Sequence, residues 1–206
     1  MQITLTNTGK RYNREWIFRH IDARFEPGKS YAITGPNGSG KSTLLQVIAG
    51  AVLHNEGTIA YSLPNQPIDP AAAYRLISYA APYLELIEEM TATELLRFHA
   101  SFKTLTASIP AILEAVALPQ AAHKQIRYYS SGMKQRLKLA QAFFTDALVV
   151  MLDEPTTNLD AAGIQLYHEL VQQLGKDKLI IVGSNDPQEY SFCTEKLDIT
   201  PYKITD

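Results

Sequence analysis

The sequence predicts an α/β fold on a mostly parallel sheet, and three observations predict it. A glycine-rich loop at residues 35–43, GPNGSGKST, stands between an apolar strand-like run at 30–34 and an apolar helical run at 44–48. Continuous apolar runs at 148–152 and 179–182 alternate with a helical period at 161–174. Strands that are apolar on both sides need helices over both sides, which is the arrangement of parallel sheets. The run at 148–152 also ends in the acids Asp153 and Glu154, and open α/β sheets bind their ligands at the carboxyl ends of such strands.

The loop has the form of a phosphate cradle, GxxxxGKS/T. Gly35, Pro36, Asn37, Gly38, Ser39 and Gly40 form a turn whose glycines let successive backbone N–H groups converge on one anion. Those donors open a helix, where unpaired amides and the helix dipole favour negative charge. Lys41 adds a mobile cation for β- and γ-phosphates, the Ser42 hydroxyl is the expected ligand of a bridging Mg²⁺, and Thr43 is expected to reach the α-phosphate. Asp153 is placed to hold the same Mg²⁺, directly or through water, and Glu154 to orient or activate the attacking water. Taken singly, the loop also reads as an ordinary strand-to-helix turn and the two acids as caps of the next helix.

Composition bounds the answer. At 206 residues the chain has room for one domain with a substantial core and none for a second large one. The 46% hydrophobic and 19% charged fractions are those of an ordinary folded protein. A net charge of −2 with a pI near 6.2 gives no support to a nucleic-acid surface. The longest apolar run, at 147–152, falls far short of the roughly 18 residues of a membrane span, so no direct membrane insertion is expected. The first residues, MQITLTNTGKRY, lack the apolar core of a signal peptide. The single cysteine, Cys193, is simplest to place in a reducing cytoplasm.

In chain order, residues 2–6 alternate as a half-buried strand and residues 17–25 read as a second strand after a polar turn at Asn13 and Arg14. Tyr12 and Trp16 flank that turn, and either aromatic offers a face for stacking or for packing. Residues 57–61 read as a short strand, 63–70 as a proline-rich loop, and 75–81 as a buried strand ended by Pro82. From Thr91 the period becomes helical, opened by a capping box of Thr91 and Glu94. A second helix is expected at 110–117 and a third at 130–145.

The stretch 129–136, YSSGMKQR, places Ser130, Ser131 and Gly132 at a helix start, a second anion-seeking site. Here the sequence resembles, over practically its whole length, the ATP-binding cassette family, the ATPase subunits of ABC transporters. GPNGSGKST is similar to the family's Walker A, YSSGM to its LSGGQ signature, LVVMLDEP to Walker B with the catalytic glutamate, and TNLD to the D-loop. The resemblance implies a single domain over 1–206. Its expected parts are a P-loop NTPase (RecA-like) core, an N-terminal antiparallel β lobe and an inserted helical lobe at approximately 83–140. It also implies ATP and Mg²⁺ as cofactors, and an ATP-dependent homodimer arranged head to tail around two nucleotides. Ser130 and Gly132 would then touch a γ-phosphate across the interface, Asp160 would couple the two sites, and Tyr12 matches the adenine-stacking aromatic.

Two positions depart from the family pattern. The family's glutamine after the strand at 75–81 is absent, with Pro82 at that point and no glutamine from Pro67 to Pro119. Its histidine at the end of the last core strand is replaced by Asn185, which fits two uses, a γ-phosphate contact or a helix cap ahead of Asp186 and Pro187. The expectation is a cytoplasmic ATPase on the inner face of the cell membrane, acting on a separate integral membrane transporter subunit. The signature with MKQRLKLA is most similar to exporters with separately encoded membrane subunits. The stretch from Tyr83 to Glu94, mixing apolar side chains with Glu85, Glu88 and Glu89, is the expected partner contact. The alternatives are a soluble ABC ATPase acting on a protein assembly and a degenerate ATP-sensing module.

Overall fold

The computed structural model describes residues 1–64 and 66–203. In chain order it holds β1 (Gln2–Tyr12), β2 (Glu15–Phe25), β3 (Ser30–Thr34), α1 (Lys41–Ile48), β4 (Glu56–Leu63), β5 (Gln66–Ile68), α2 (Pro70–Ala73) and β6 (Ile77–Ala80). There follow α3 (Ala92–Ala100), α4 (Ile109–Ala115), α5 (Ser131–Phe143), β7 (Val149–Asp153), α6 (Ala161–Leu174), β8 (Leu179–Gly183), α7 (Pro187–Tyr190) and β9 (Glu195–Asp198). The strands form two sheets. One is antiparallel in the order β2-β1-β4-β5, and the other is parallel in the order β6-β7-β8-β3-β9.

The parallel strands are apolar on both faces because each face has its own core. Val149 and Met151 of β7, with Leu179 and Ile181 of β8, join the cluster under α1 and the antiparallel sheet. Val150, Leu152, Ile180 and Val182 join the cluster that holds α3 to α6. Register then assembles the site: Asp153 pairs with Gly183, and Gly183 pairs with Ile33, just before the glycine loop. Gly183 has a packing reason as well, since a Cβ there would lie 2.6 Å from Leu45 of α1. Burying a leucine such as Leu45 fully, as here, contributes roughly 2 kcal/mol.

Several elements differ from the sequence reading. β1 runs on to Tyr12 past Asn7, whose φ is 48°, because irregular pairing keeps it in register with both neighbours. The 63–70 stretch is more than a loop: β5 pairs with β4 at the sheet edge, where Pro67 loses no ladder bond it needs. Asn65 within that stretch lies outside the described residues. The strand expected at 75–81 is shorter, with Arg75 and Leu76 in a tight 3₁₀ turn. Helix α4 ends at Ala115, and Ala117 takes a φ of 55°. β9 has no counterpart in the sequence reading and covers the free edge of β3.

Candidate functional site

Helix α1 begins where the glycine loop ends, so the loop's amides sit at a helix N-terminus against the carboxyl end of β3. Gly40 is the residue before the helix, with a φ of 100°, and a Cβ on it would lie 2.5 Å from Ile17 of β2. No other residue type fits both the angle and the space. The Lys41 ammonium donates to the Gly35 and Pro36 carbonyls at 2.8 and 3.2 Å, which binds its charge to the loop. Ile17, Asn37, Gly38, Gly40, Lys41, Ser42, Thr43 and Glu154 line one cavity of about 230 Å³. The structure thus brings Glu154 onto the glycine loop. Ser39 lies beneath it, buried, with a hydroxyl that finds no partner among the described residues.

Asp153 is the most telling residue of the site. It is 1% exposed, yet neither carboxylate oxygen makes a hydrogen bond of ordinary length and angle. Burial raises its pKa above the usual aspartate value, opposed by the Ser42 and Tyr83 hydroxyls and the Lys41 charge, while Glu154 pushes it further up. A buried carboxylate without partners is costly, and a cation beside it removes that cost. Asp153 with the Ser42 hydroxyl is a hard oxygen donor set of the kind that Mg²⁺ takes while keeping waters and phosphate oxygens. Glu154 itself sits at a φ of 41°, its N–H bonded to the Gly183 carbonyl at 3.0 Å. This strained turn aims its side chain away from β7 and into the cavity.

Asn185 follows β8, and its amide donates to the Asn37 side chain of the glycine loop at 3.3 Å. The capping use considered for it is taken by Asp186, whose carboxylate accepts from the Gln188 N–H at 2.9 Å. Sequence reasoning missed two further residues here. Glu189, 3% exposed, accepts from both the N–H and the hydroxyl of Thr156, which ties α7 to the turn after Glu154. Tyr83, one residue beyond Pro82, accepts from the Gln46 side-chain amide at 3.0 Å, and its hydroxyl opposes the rise of the Asp153 pKa. Pro82 contributes a carbonyl that accepts from the Lys138 ammonium. The available signal was the pair of tyrosines at 79 and 83, four residues apart.

Of the two aromatics at the first turn, Trp16 is already engaged. The guanidinium groups of Arg19 and Arg11 lie 4.4 and 5.4 Å from its ring, and Gly9 leaves room beneath it. Tyr12 is 46% exposed, with the Lys10 ammonium 4.7 Å from its ring. Tyr12 does not line the phosphate cavity.

Ser130 and Gly132 lie elsewhere. Ser130 caps α5, its hydroxyl accepting from the Met133 N–H at 3.2 Å, and neither residue lines the cavity of its own chain. A Cβ on Gly132 would come within 2.9 Å of the Asn158 carbonyl, so the start of α5 is pressed on the turn that leads to Asp160. Asp160 caps α6 by accepting from the Gly163 N–H at 2.8 Å.

Comparison with known proteins agrees with this geometry. Residues 18–157 match the family model described as ABC transporter. The chain is 33% identical over 188 residues to the uncharacterized ABC transporter ATP-binding protein YxlF of Bacillus subtilis, a match over 89% of this chain and 62% of that protein. It thus spans less than two thirds of YxlF. It is 30% identical over 193 residues to the cytochrome c biogenesis ATP-binding export protein CcmA of Rhizobium etli, covering 91% of this chain and 89% of that one. Relatives named for import also match. The dimeric structure of MJ0796, a bacterial ABC transporter cassette, superposes with a TM-score of 0.82 at 24% identity over 96% of this chain and 95% of that one, which shows a common fold. Since the family model spans more than half of the sequence and contains both the glycine loop and the acids that meet it in the fold, the chain belongs to the ABC transporter family as an ATP-binding cassette.

Proposed function

We propose that the chain hydrolyses ATP to ADP and phosphate as the nucleotide-binding subunit of an ABC transporter, acting as a homodimer on a separate integral membrane subunit at the cytoplasmic face of the membrane. The observation that carries this reading is Asp153, buried and unpartnered beside Ser42 and Lys41, two residues that line one cavity with Glu154. Asp153 and Ser42 would hold Mg²⁺, which when bound supplies positive charge to β- and γ-phosphate oxygens. Lys41 would leave the loop carbonyls for the phosphates, and the loop amides would hold them from below. Glu154 would orient the attacking water, Asn185 would donate a neutral hydrogen bond at the γ-phosphate end, and Tyr12 would stack on the adenine.

The separation of Ser130 and Gly132 from their own chain's cavity supports a composite site, in which these residues complete the partner's cavity. The likeness to the dimeric MJ0796 cassette supports the same arrangement. In Glu154→Gln, ATP with Mg²⁺ is expected to convert monomer to dimer in light scattering, and Ser130→Arg on that background is expected to prevent it. A monomer under both conditions in Glu154→Gln would sink the composite site.

The membrane partner is assigned to the groove bordered by the 83–90 segment. A cavity of about 390 Å³ there is lined by Tyr79, Leu84, His99, Lys103 and Lys138 among others. Tyr74, Tyr83, Leu84 and Ile87 on its border and Phe98 and Phe102 of the α3 region are large apolar side chains left exposed. Charge enters differently from the sequence expectation. Glu88 pairs with Lys134 and Glu89 lies 4.0 Å from Arg127, so contact with the partner rests on the apolar residues and Glu85. Export is the favoured direction, on the likeness of the MKQRLKLA helix and of CcmA. Transport assayed in vesicles with the co-expressed membrane subunit decides it.

A further inference from the structure

We propose that Tyr83, held by Gln46 and Tyr79, is the positioning residue that orders the Asp153 carboxylate for the metal–nucleotide. This inference rests on the ATPase reading above.

Four elements converge to make the arrangement. Ser42 and Gln46 stand four residues apart on α1 and therefore share one side of the helix. Tyr79 pairs with Met151, two residues before Asp153, so Tyr79 and Asp153 share one face of the sheet, the face that α1 covers. Tyr83 then folds back from the loop after β6. Its oxygen accepts from the Gln46 side-chain amide at 3.0 Å and is hydrogen-bonded to the Tyr79 hydroxyl.

Counting protons gives the direction. A phenol has one proton to donate and two lone pairs. The Gln46 amide fills one lone pair of Tyr83, and one phenol proton is used between the two tyrosines. A second phenol proton remains, whichever tyrosine holds it. Asp153 stands on the same face of the sheet as Tyr79, and its two oxygens are buried acceptors that make no hydrogen bond of ordinary geometry; burial and the Asp153 charge keep both phenols protonated. The remaining phenol proton is therefore available to Asp153, the unpartnered acceptor on that face. Such a donor fixes the carboxylate's orientation and leaves its other lone pairs for a cation, as groups behind metal ligands do. It also accounts for the lack of a glutamine in this segment: a phenol offers the same donor from one residue further on.

The test is Tyr83→Phe, which keeps the ring and removes the hydroxyl. ATP affinity is measured in EDTA and across a Mg²⁺ titration, alongside melting temperature. The expected result is unchanged melting and unchanged affinity in EDTA, with the Mg²⁺ midpoint shifted upward by roughly tenfold or more. Gln46→Leu should shift it in the same direction by less, and Tyr83→Gln should restore part of the loss through its amide. A Mg²⁺ curve for Tyr83→Phe that overlays the wild type overturns the proposal. So does an equal loss of affinity with and without Mg²⁺, which would mark a merely structural role. A wild-type protein that binds ATP with no Mg²⁺ effect overturns the metal reading itself and this inference with it, and is told apart because the wild-type curve alone reveals it.

Discussion

An asparagine amide at position 185 can donate hydrogen bonds but cannot become cationic as charge moves toward a leaving group. Losing a well-placed donor in an active site costs about 10²–10³ in rate, and a neutral amide recovers part of that. Turnover of the isolated protein is therefore expected below roughly 1 s⁻¹, toward the slow end of enzyme rates. Asn185→His should leave phosphate release unchanged or faster at fixed Mg²⁺ and pH. A large fall, with ATP affinity and folding intact, would show that the Asn37 contact requires the asparagine itself. At this scale the motif residues were legible, because each pairs a residue type with a fixed spacing. The role proposed for Tyr83 was not, since the family pattern has an amide at this point and a phenol one residue further on carries no such signature. Glu189 was hidden for a related reason: its partner Thr156 lies 33 positions away in the chain, and no local pattern marks such a pair.

Local chemistry also decided which elements could be read. Helix α6 was bounded correctly at 161–174 because its cap, Asp160, and its apolar period with Tyr167, Leu170 and Val171 agree. The capping box of α3 is present in both halves: the Thr91 hydroxyl accepts from the Glu94 N–H at 3.2 Å and the Glu94 carboxylate accepts from the Thr91 N–H at 2.8 Å. Thr91→Ala should cost about 1 kcal/mol, seen as a fall in melting temperature of about 2–4 °C. An unchanged melting temperature would mean that the isolated bridge at Thr91 and Gln125 and the packing of Leu95 and Leu96 hold the helix start unaided. β5 and β9 escaped notice for an opposite reason. Both are edge strands, where prolines or charges are tolerated because one side of the ladder is unpaired. Glu195, Lys196 and Asp198 carry no apolar alternation to detect.

For the whole molecule, the parallel sheet followed from sequence because its central strands are apolar on both faces, while the groove proposed for the partner was legible only at its Tyr83-to-Glu94 border, because its other walls, Ala49, His99 and Lys138 among them, meet that border only after folding. A photo-crosslinker placed at Leu84 or Glu88 in the complex with a co-purified membrane subunit should join the two. Cross-links confined to another face would remove the groove from the interface. The contact between Gly132 and the Asn158 carbonyl has a mechanical meaning in the proposed pair. Asn158 is four positions beyond Glu154 on the same turn, and Gly132 belongs to the serine-bearing helix start that faces the other nucleotide. Each subunit is then a short lever with one arm at either ATP, and the absence of a side chain at position 132 removes the play between the arms. Two such levers laid head to tail would keep a single clock: in the proposed pair, a movement of the turn after one acid would be felt at the grip on the opposite nucleotide.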